Sequence, residues 1–588
     1  MHSKLPTLCL LTGMFVSSGL GITPAFALDS SKVTTGSDLT VDSVQRHYDE
    51  LLQELKKLPD AASWIAFLSR WNSFKATLSG ENSRRSFREN RNTVDPAAEE
   101  KSKFMREKAL PLAEGYDAKI REAVLRSPFR KELEGHFGRL LFLNFEVEQS
   151  AFIPENIELN TEAAKLVARY NKMTGAAKVL VEGKELTLPR ANALLEDPSE
   201  ALRKAAWLAI SKWTIDHSEE LNQNYSKLVS LRQRIAGNLH EKNFIPVGYR
   251  KMQRTDYGPA EVKRFRQEIK KNVVPLLRKL RKQQASMLGA KTVKPWNANY
   301  YPGLSLPPNV LSVKTETEKA QKLFDKLHPV LGNHFRRMVK ENLIDLENRP
   351  NKRSGAYSTS FDDEKKALIF CNNTGGANDV GTITHEMGHA FQAWESMWIE
   401  PIELRWPTYE ACEVHSMGME YLSLPLLEEF FKKEEAAKYR RLKLIDSLTL
   451  FPYVATVDEF QHWVYEHPKK SPAEREAAWS RIWDEYNVGL DFTGYERAKS
   501  TRWMRQGHIY RVPFYYIDYA IAETGALQLF ARDKKDHAGA LASYLKLCRI
   551  GGSQSVLGIF RAGELKSPFE EGVLAPLMKT LAKDLGLK

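Results

Sequence analysis

The chain has 588 residues, of which 42% are hydrophobic and 27% charged, with a formal charge of +12. That apolar content excludes a disordered chain, and the length exceeds what one core supports, so at least two packed units are expected. Lys and Arg are interleaved with Asp and Glu along amphipathic stretches such as Glu261-Val-Lys-Arg-Phe-Arg-Gln-Glu-Ile-Lys-Lys271, which reads as a solvated face and argues against nucleic acid as a partner.

Residues 1–27 read as a secretory signal peptide. Lys4 precedes an apolar run, Leu5 to Ile22, broken by Gly and Ser, and Ala25-Phe-Ala27 is a small-x-small cleavage pattern ahead of Leu28. The expectation is an exported protein, periplasmic or secreted. No later stretch approaches the roughly 18 apolar residues that span a bilayer, so no stable membrane association is expected after cleavage. Cys371, Cys412 and Cys548 would remain in the mature chain, too few and too scattered for a disulfide framework.

Periodicity of 3.6 residues predicts helices over Val41–Leu58, Ala97–Ser127, Pro128–Phe145 and Ser199–Arg234. The Ser/Arg/Asn-rich stretch Ser79–Asn92 is the one candidate for a disordered excursion. Lys178–Leu188 reads as a β-hairpin turning at Glu182-Gly183, and Pro295–Pro308 as a surface loop or a domain junction. Ala367–Cys371 is a short apolar strand followed by a turn. As an edge strand it would suit pairing with an extended peptide; otherwise it is a structural strand of a small sheet.

The most informative residues follow, His385-Glu386-Met387-Gly388-His389. A helix turns about 100° per residue, so His385 and His389 project roughly 40° apart and can reach one ion. Glu386 lies a quarter turn round, placed to take a proton from an attacking water. Asn378-Asp379 supplies an N-cap, and Ile383, Met387, Phe391 and Trp394 give the helix a buried stripe. Gly388, costly in a helix, suggests that something approaches the backbone closely there.

A catalytic zinc takes three protein ligands, leaving one position open. A His-x-x-Gly-x-x-His continuation is excluded, because Gln392 and Glu395 stand where its glycine and histidine would be. The segment Tyr409 to Glu420 reads as a second helix with Glu410, Glu413 and Glu420 on one face, and one of these is the expected third ligand. Asp379 or Glu420 could orient a ligand histidine through its second nitrogen.

Four stretches together resemble the M3 family of zinc oligopeptidases, in its oligoendopeptidase F branch: Arg353-Ser-Gly-Ala-Tyr357, Thr384-His-Glu-Met-Gly-His-Ala-Phe391, Glu413-Val-His-Ser-Met-Gly-Met-Glu420 and His508-Ile-Tyr-Arg-Val-Pro-Phe-Tyr-Tyr-Ile-Asp-Tyr-Ala520. The resemblance implies Glu413 as the third ligand, opening a Glu-x-x-Ser-like helix, with Glu410 and Glu420 behind it or on the surface. It also implies that His508, Tyr516 and Tyr519 hydrogen-bond the substrate carbonyl oxygen as it becomes negative. The spacing from His508 to the tyrosines is one residue shorter than in the mammalian branch, which leaves Tyr515 and Tyr510 as alternatives.

The expected protein is mainly α, a two-lobed helical metallopeptidase with a deep cleft and a small β-sheet near the zinc site. Residues 28–245 would cover the cleft and residues 246–588 carry the catalytic domain. A monomer with one Zn2+ would cut internal bonds of short unfolded peptides. A carboxypeptidase or dipeptidyl carboxypeptidase, or a non-catalytic peptide-binding protein on the same scaffold, are the alternatives.

Overall fold

The computed structural model describes residues 39–587 apart from 152, 307–310, 354 and 375; the signal-peptide reading at residues 1–27 lies outside them. Two apolar cores organise the chain. The first is built from α1 (Val41–Leu55), α2 (Ala61–Arg91) and the helices up to residue 151, with Trp71, Phe67, Phe142 and Phe145 at its centre. Ile399 and Leu404, from the other half of the sequence, close that core. The second runs from Leu159 to Leu587 and contains the aromatic residues around His508. No helix among the described residues is long and apolar enough to cross a membrane.

The stretch Ser79–Asn92 is a correction. It forms the second half of the continuous helix α2, and Gly80, Glu81, Asn82, Ser83, Arg85 and Asn90 are buried. Its polar residues are matched by an acidic sheet edge. Ser79 Oγ donates to Asp362 at 2.6 Å, Arg84 pairs with Asp363 at 2.7 Å and Asn90 Nδ2 donates to the Tyr357 hydroxyl at 2.9 Å. Composition signals disorder when no apolar face exists, but a polar helix is ordered when a partner satisfies it.

Three other expected helices appear with breaks. Pro96 to Leu125 continues through a π-helical turn at Met105–Ala109, and Gly138, at φ +83°, divides Arg130–Phe137 from Arg139–Ala151. His217 likewise separates Glu200–Asp216 from Ser218–Asn238. The expected hairpin forms as β1 (Lys178–Val181) and β2 (Lys184–Thr187), with Glu182 and Gly183 both at positive φ in the turn. Ile157–Gly175 is a helix the sequence pattern did not single out.

A three-stranded sheet precedes the histidine helix. β3 (Ile344–Glu347) runs parallel and β4 (Tyr357–Phe361) antiparallel to β5 (Lys366–Asn373), in the order β3-β5-β4. The strand read as a possible edge is therefore the central one, and both of its sides are taken. Its residues Ala367 to Cys371 are fully buried, as a strand covered on both faces should be.

The polypeptide then enters α3 (Ala377–Ser396), α4 (Tyr409–Ser423), the long α5 (Lys433–Glu466), α6 (Asp518–Asp533) and α7 (His537–Ile550). Gly376 is the N-cap of α3, so the cap lies two residues before Asn378. Asp379 works from inside the first turn, accepting from the Thr374 and Gly376 amides at 2.7 and 2.9 Å. Helix α4 lies between α3 and α6, and at Gly388 the α3 backbone meets α4 directly. A Cβ there would stand 2.6 Å from the His415 carbonyl oxygen and 2.6 Å from Ser416 Cα. Both obstacles are backbone, so neither can rotate away. Gly388→Ala is expected to force the helices apart at a cost of about 1–3 kcal/mol, read as a lowered thermal midpoint; an unchanged midpoint would mean the contact is not tight.

Candidate metal centre

Helix α3 presents His385 and His389 one turn apart, and α4 brings Glu413 against them. One ligand atom from each of the three lies within 4.8 Å of the others. Glu413 Oε2 stands 3.4 Å from His385 Nε2 and 3.7 Å from His389 Nε2. All three side chains are buried, and Glu386 is completely so.

The second nitrogen of each histidine has a partner. His385 Nδ1 meets Glu420 Oε1 at 3.0 Å, and the other oxygen of Glu420 accepts from Lys443 Nζ of α5 at 2.6 Å. His389 Nδ1 lies 3.1 Å from Cys412 Sγ. These contacts fix ring orientation and leave each Nε2 facing Glu413. Glu413 is itself held, accepting from Ser416 Oγ at 2.9 Å and from the Tyr515 hydroxyl at 3.4 Å.

The three carboxylates on α4 therefore separate by environment. Glu413 faces the histidines and Glu420 backs His385. Glu410 lies elsewhere, accepting from the Tyr257 hydroxyl at 2.8 Å beside Arg254. Asp379 is taken up by capping α3, so of the two residues weighed as orienting groups it is Glu420 that touches a histidine.

Burial lowers the pKa of His385, but hydrogen bonds to Glu413 and Glu420 and their charges outweigh it and raise the ring to about 10. Burial takes His389 down to about 3. Glu420 is held at about 2 despite burial, through the Lys443 charge and the His385 hydrogen bond. The carboxylates thus favour positive charge at the centre. His389 Nε2 is buried and makes no hydrogen bond. An orphaned imidazole nitrogen beside a second imidazole and a carboxylate is a donor set that suits zinc.

The late segment supplies the rest. His508 is buried; its Nδ1 meets the Gln506 amide, while Nε2 is buried without a hydrogen-bond partner. Burial, with the Arg511 charge second, lowers its pKa to about 3, so the ring is neutral. The His508 ring centroid lies 4.9 Å from that of Tyr516, 5.8 Å from Tyr515 and 6.4 Å from Tyr519. Tyr515 is the phenol that reaches Glu413, and the Tyr519 hydroxyl donates to the Tyr515 oxygen at 3.2 Å. Tyr516 packs between His508 and Tyr453, and Tyr510 stacks on Tyr170 at 4.0 Å. Lys443 was missed by sequence reasoning and gave no signal there. Ser416 is the serine of the Glu-x-x-Ser pattern, and Cys412, read as a packing residue near the histidine helix, meets His389.

A buried His-Glu-x-x-His helix with a carboxylate from the next helix defines a helical metallopeptidase. The chain belongs to peptidase family M3: residues 193–578 match that family and residues 36–152 match the Peptidase M3 N-terminal domain. A solved structure of PZ peptidase A with an inhibitor has a TM-score of 0.87 to this chain at 34% identity, over 94% of this chain and 98% of that one. An oligoendopeptidase F homolog of Borreliella burgdorferi is 25% identical over 257 residues, 41% of this chain and 42% of its own. The chromosomal oligoendopeptidase F of Lactococcus lactis subsp. cremoris is 24% identical over 221 residues, 36% and 34% of the two chains. The chain thus aligns with less than half the length of these curated relatives, and the oligoendopeptidase F resemblance read from the four motifs stands.

Replacing Glu420 by Gln removes the carboxylate hydrogen-bonded to Lys443 and leaves His385 less firmly oriented. Glu420→Gln is expected to weaken zinc retention about 10- to 100-fold in chelator competition. Retention at the unmodified protein's level would mean that Glu420 does not steady the ring.

Proposed function

We propose that this protein is a zinc-dependent endopeptidase that hydrolyses internal bonds of short, unfolded oligopeptides. The observation that carries the reading is the convergence of His385, His389 and Glu413 within 4.8 Å in a buried setting, with Glu386 on the same helical turn as the histidines. Those three residues would hold the ion, which when bound supplies a Lewis acid for the scissile carbonyl and brings the pKa of water down to about 7.

Glu386 removes the proton of the attacking water and passes it to the leaving amine, so no covalent intermediate forms. Its charge is felt at Cys371 and Cys412, whose thiols are pushed well up, first by burial. Both therefore stay neutral and compete neither as bases nor as nucleophiles. His508, neutral and with Nε2 unpaired, and the hydroxyls of Tyr515 and Tyr519 are the donors suited to the developing oxyanion. Tyr516 holds the His508 ring from the other side in this reading.

The N-terminal region, residues 28–245, is read as the cover of a cleft that admits peptides and excludes folded proteins. The contacts of α2 with Asp362, Asp363 and Tyr357 support a cover fastened beside the site. The leader pattern in residues 1–27 supports export, with the mature chain acting as a monomer.

Glu386→Gln is expected to keep zinc while kcat falls about 10²- to 10⁴-fold, measured on a peptide blocked at both ends. Product masses from that peptide identify cleavage at an internal bond. Cleavage of free-ended peptides alone would replace the endopeptidase reading by an exopeptidase one, and near-normal turnover of the variant would remove Glu386 as the base. Tyr515→Phe is expected to lower kcat about 100-fold with little change in KM, a split that a packing role would not produce.

A further inference from the structure

Arg502, Arg505 and Arg511 stand on the segment that leads into and out of His508, and among the described residues none of them has a carboxylate partner. Buried arginines elsewhere have acceptors: Arg254 pairs with Asp518 and Arg266 with Asp458, while Arg203, Arg232, Arg281 and Arg475 donate to neutral carbonyl, amide or hydroxyl oxygens. Here the neighbours are aromatic. Arg502 lies 5.8 Å from the Tyr453 ring centroid and 5.1 Å from that of Trp483. Arg505 has the phenols of Tyr453 and Tyr170 and the Arg502 charge around it. Arg511 folds back over Gly507, where a Cβ would stand 2.5 Å from its Nη2.

All three side chains are partly buried, and the Nε atoms of Arg502 and Arg505 are buried without a hydrogen bond. Burial, with the Arg502 charge second, pulls Arg505 down to about 9. Like charges held partly out of water are unfavourable unless an anion completes them. No phosphate or carboxylate group of the described chain does so.

The cluster adjoins the proposed reaction site. Arg502 touches Tyr453, whose hydroxyl donates to Gln506 at 2.7 Å, and Gln506 in turn meets His508. Through Tyr453, Tyr516 and His508 the rings step to Tyr515 at centroid separations of 5.8, 4.9 and 5.8 Å, and the Tyr515 hydroxyl reaches Glu413 at 3.4 Å. An extended peptide advances about 3.4 Å per residue, so the span corresponds to about six residues or fewer.

We propose that Arg502, Arg505 and Arg511 form a carboxylate-binding subsite for the peptide substrate, taking its C-terminal carboxylate or the side chain of an Asp or Glu a few residues from the scissile bond. Guanidinium groups grip carboxylates through paired N–H donors, which sets register along the peptide as well as affinity. The inference takes its substrate from the peptidase reading, and its test is chosen to stand apart from turnover.

Labelled peptides of one sequence, as free acid and amide and with Glu or Gln at each of six flanking positions, are titrated by anisotropy into the full-length Glu386→Gln protein. Binding at least about 10-fold tighter for one carboxylate form is expected; free acid over amide identifies the chain terminus, and Glu over Gln a side chain. Arg505→Gln in the same background should bring the ratio close to 1, with Arg505→Lys restoring part of it. Thermal midpoints show whether the variants fold, and Arg511→Gln serves if Arg505→Gln does not. Equal binding of all peptides, or a preference that survives Arg505→Gln and Arg511→Gln, overturns the subsite. Absence of cleavage by the unmodified enzyme together with a carboxylate preference in binding would sink the peptidase reading and leave the subsite standing.

Discussion

The distance between α3 and α4 at Gly388 governs the candidate metal centre. The two histidines are local to one helix, but their third partner comes from another helix, and its reach depends on how near that helix lies. With a hydrogen atom as the only side chain at Gly388, the backbone of His415 and Ser416 can touch α3, and Glu413, one turn earlier on α4, arrives beside both imidazoles. A methyl group in that gap would displace Glu413 together with Glu420, because both ride on the same rigid rod. The apolar residues of α3, α4 and α6 hold this spacing from all sides, since α4 is itself wedged between α3 and α6.

Charge balance is the second constraint, and it follows from the first. Glu386, Glu413 and Glu420 are brought into a buried region where Lys443 is the ammonium paired with one of them. Such a surplus of carboxylates is unfavourable in a low-dielectric interior unless positive charge joins them. The lowered pKa values of Glu413 and Glu420 and the raised one of His385 are three expressions of that demand. The mirror image occurs around Arg502, Arg505 and Arg511, where guanidinium groups gather without carboxylates. The carboxylates on α3 and α4 thus call for a cation, and the arginines on the segment around His508 for an anion.

What the sequence made legible was whatever depends on neighbours in the chain. The His385–His389 pair, the hairpin at Glu182-Gly183 and the meaning of Gly388 all follow from helical or turn geometry over a few residues. Glu413 was one of three on a helix face until the family resemblance selected it, because the choice among them depends on which way α4 faces. The central place of β5 was hidden for the same reason: an apolar strand reads alike at the edge or the middle of a three-stranded sheet. Ser79–Asn92 misled because burial by polar pairing leaves no apolar periodicity to detect; its partners, Asp362 and Asp363, lie more than 270 residues away.

The tyrosines show where periodic reasoning stops. Counting from His508 along a helix favours no particular phenol, since the helix does not run that far: α6 begins at Asp518, and Tyr515 and Tyr516 sit in the turn before it. The turn is set by Phe514, a bulky residue at φ +68°, which costs about 1–2 kcal/mol in an L-residue. Two buried contacts offset that cost. Arg254 Nη2 donates to the Phe514 carbonyl at 2.7 Å, and the Phe514 amide donates to Gln461 Oε1 at 3.1 Å. The Phe514 ring is meanwhile lodged among Tyr249, His462 and Tyr465, against a Gly248 that leaves it room. With the backbone reversed at that residue, Tyr515 points to Glu413 while its neighbour Tyr516 turns to Tyr453. The position of the phenol beside Glu413 is therefore decided by an arginine from the loop after residue 251 and a glutamine of α5, through a backbone reversal that the spacing of the motif does not reveal.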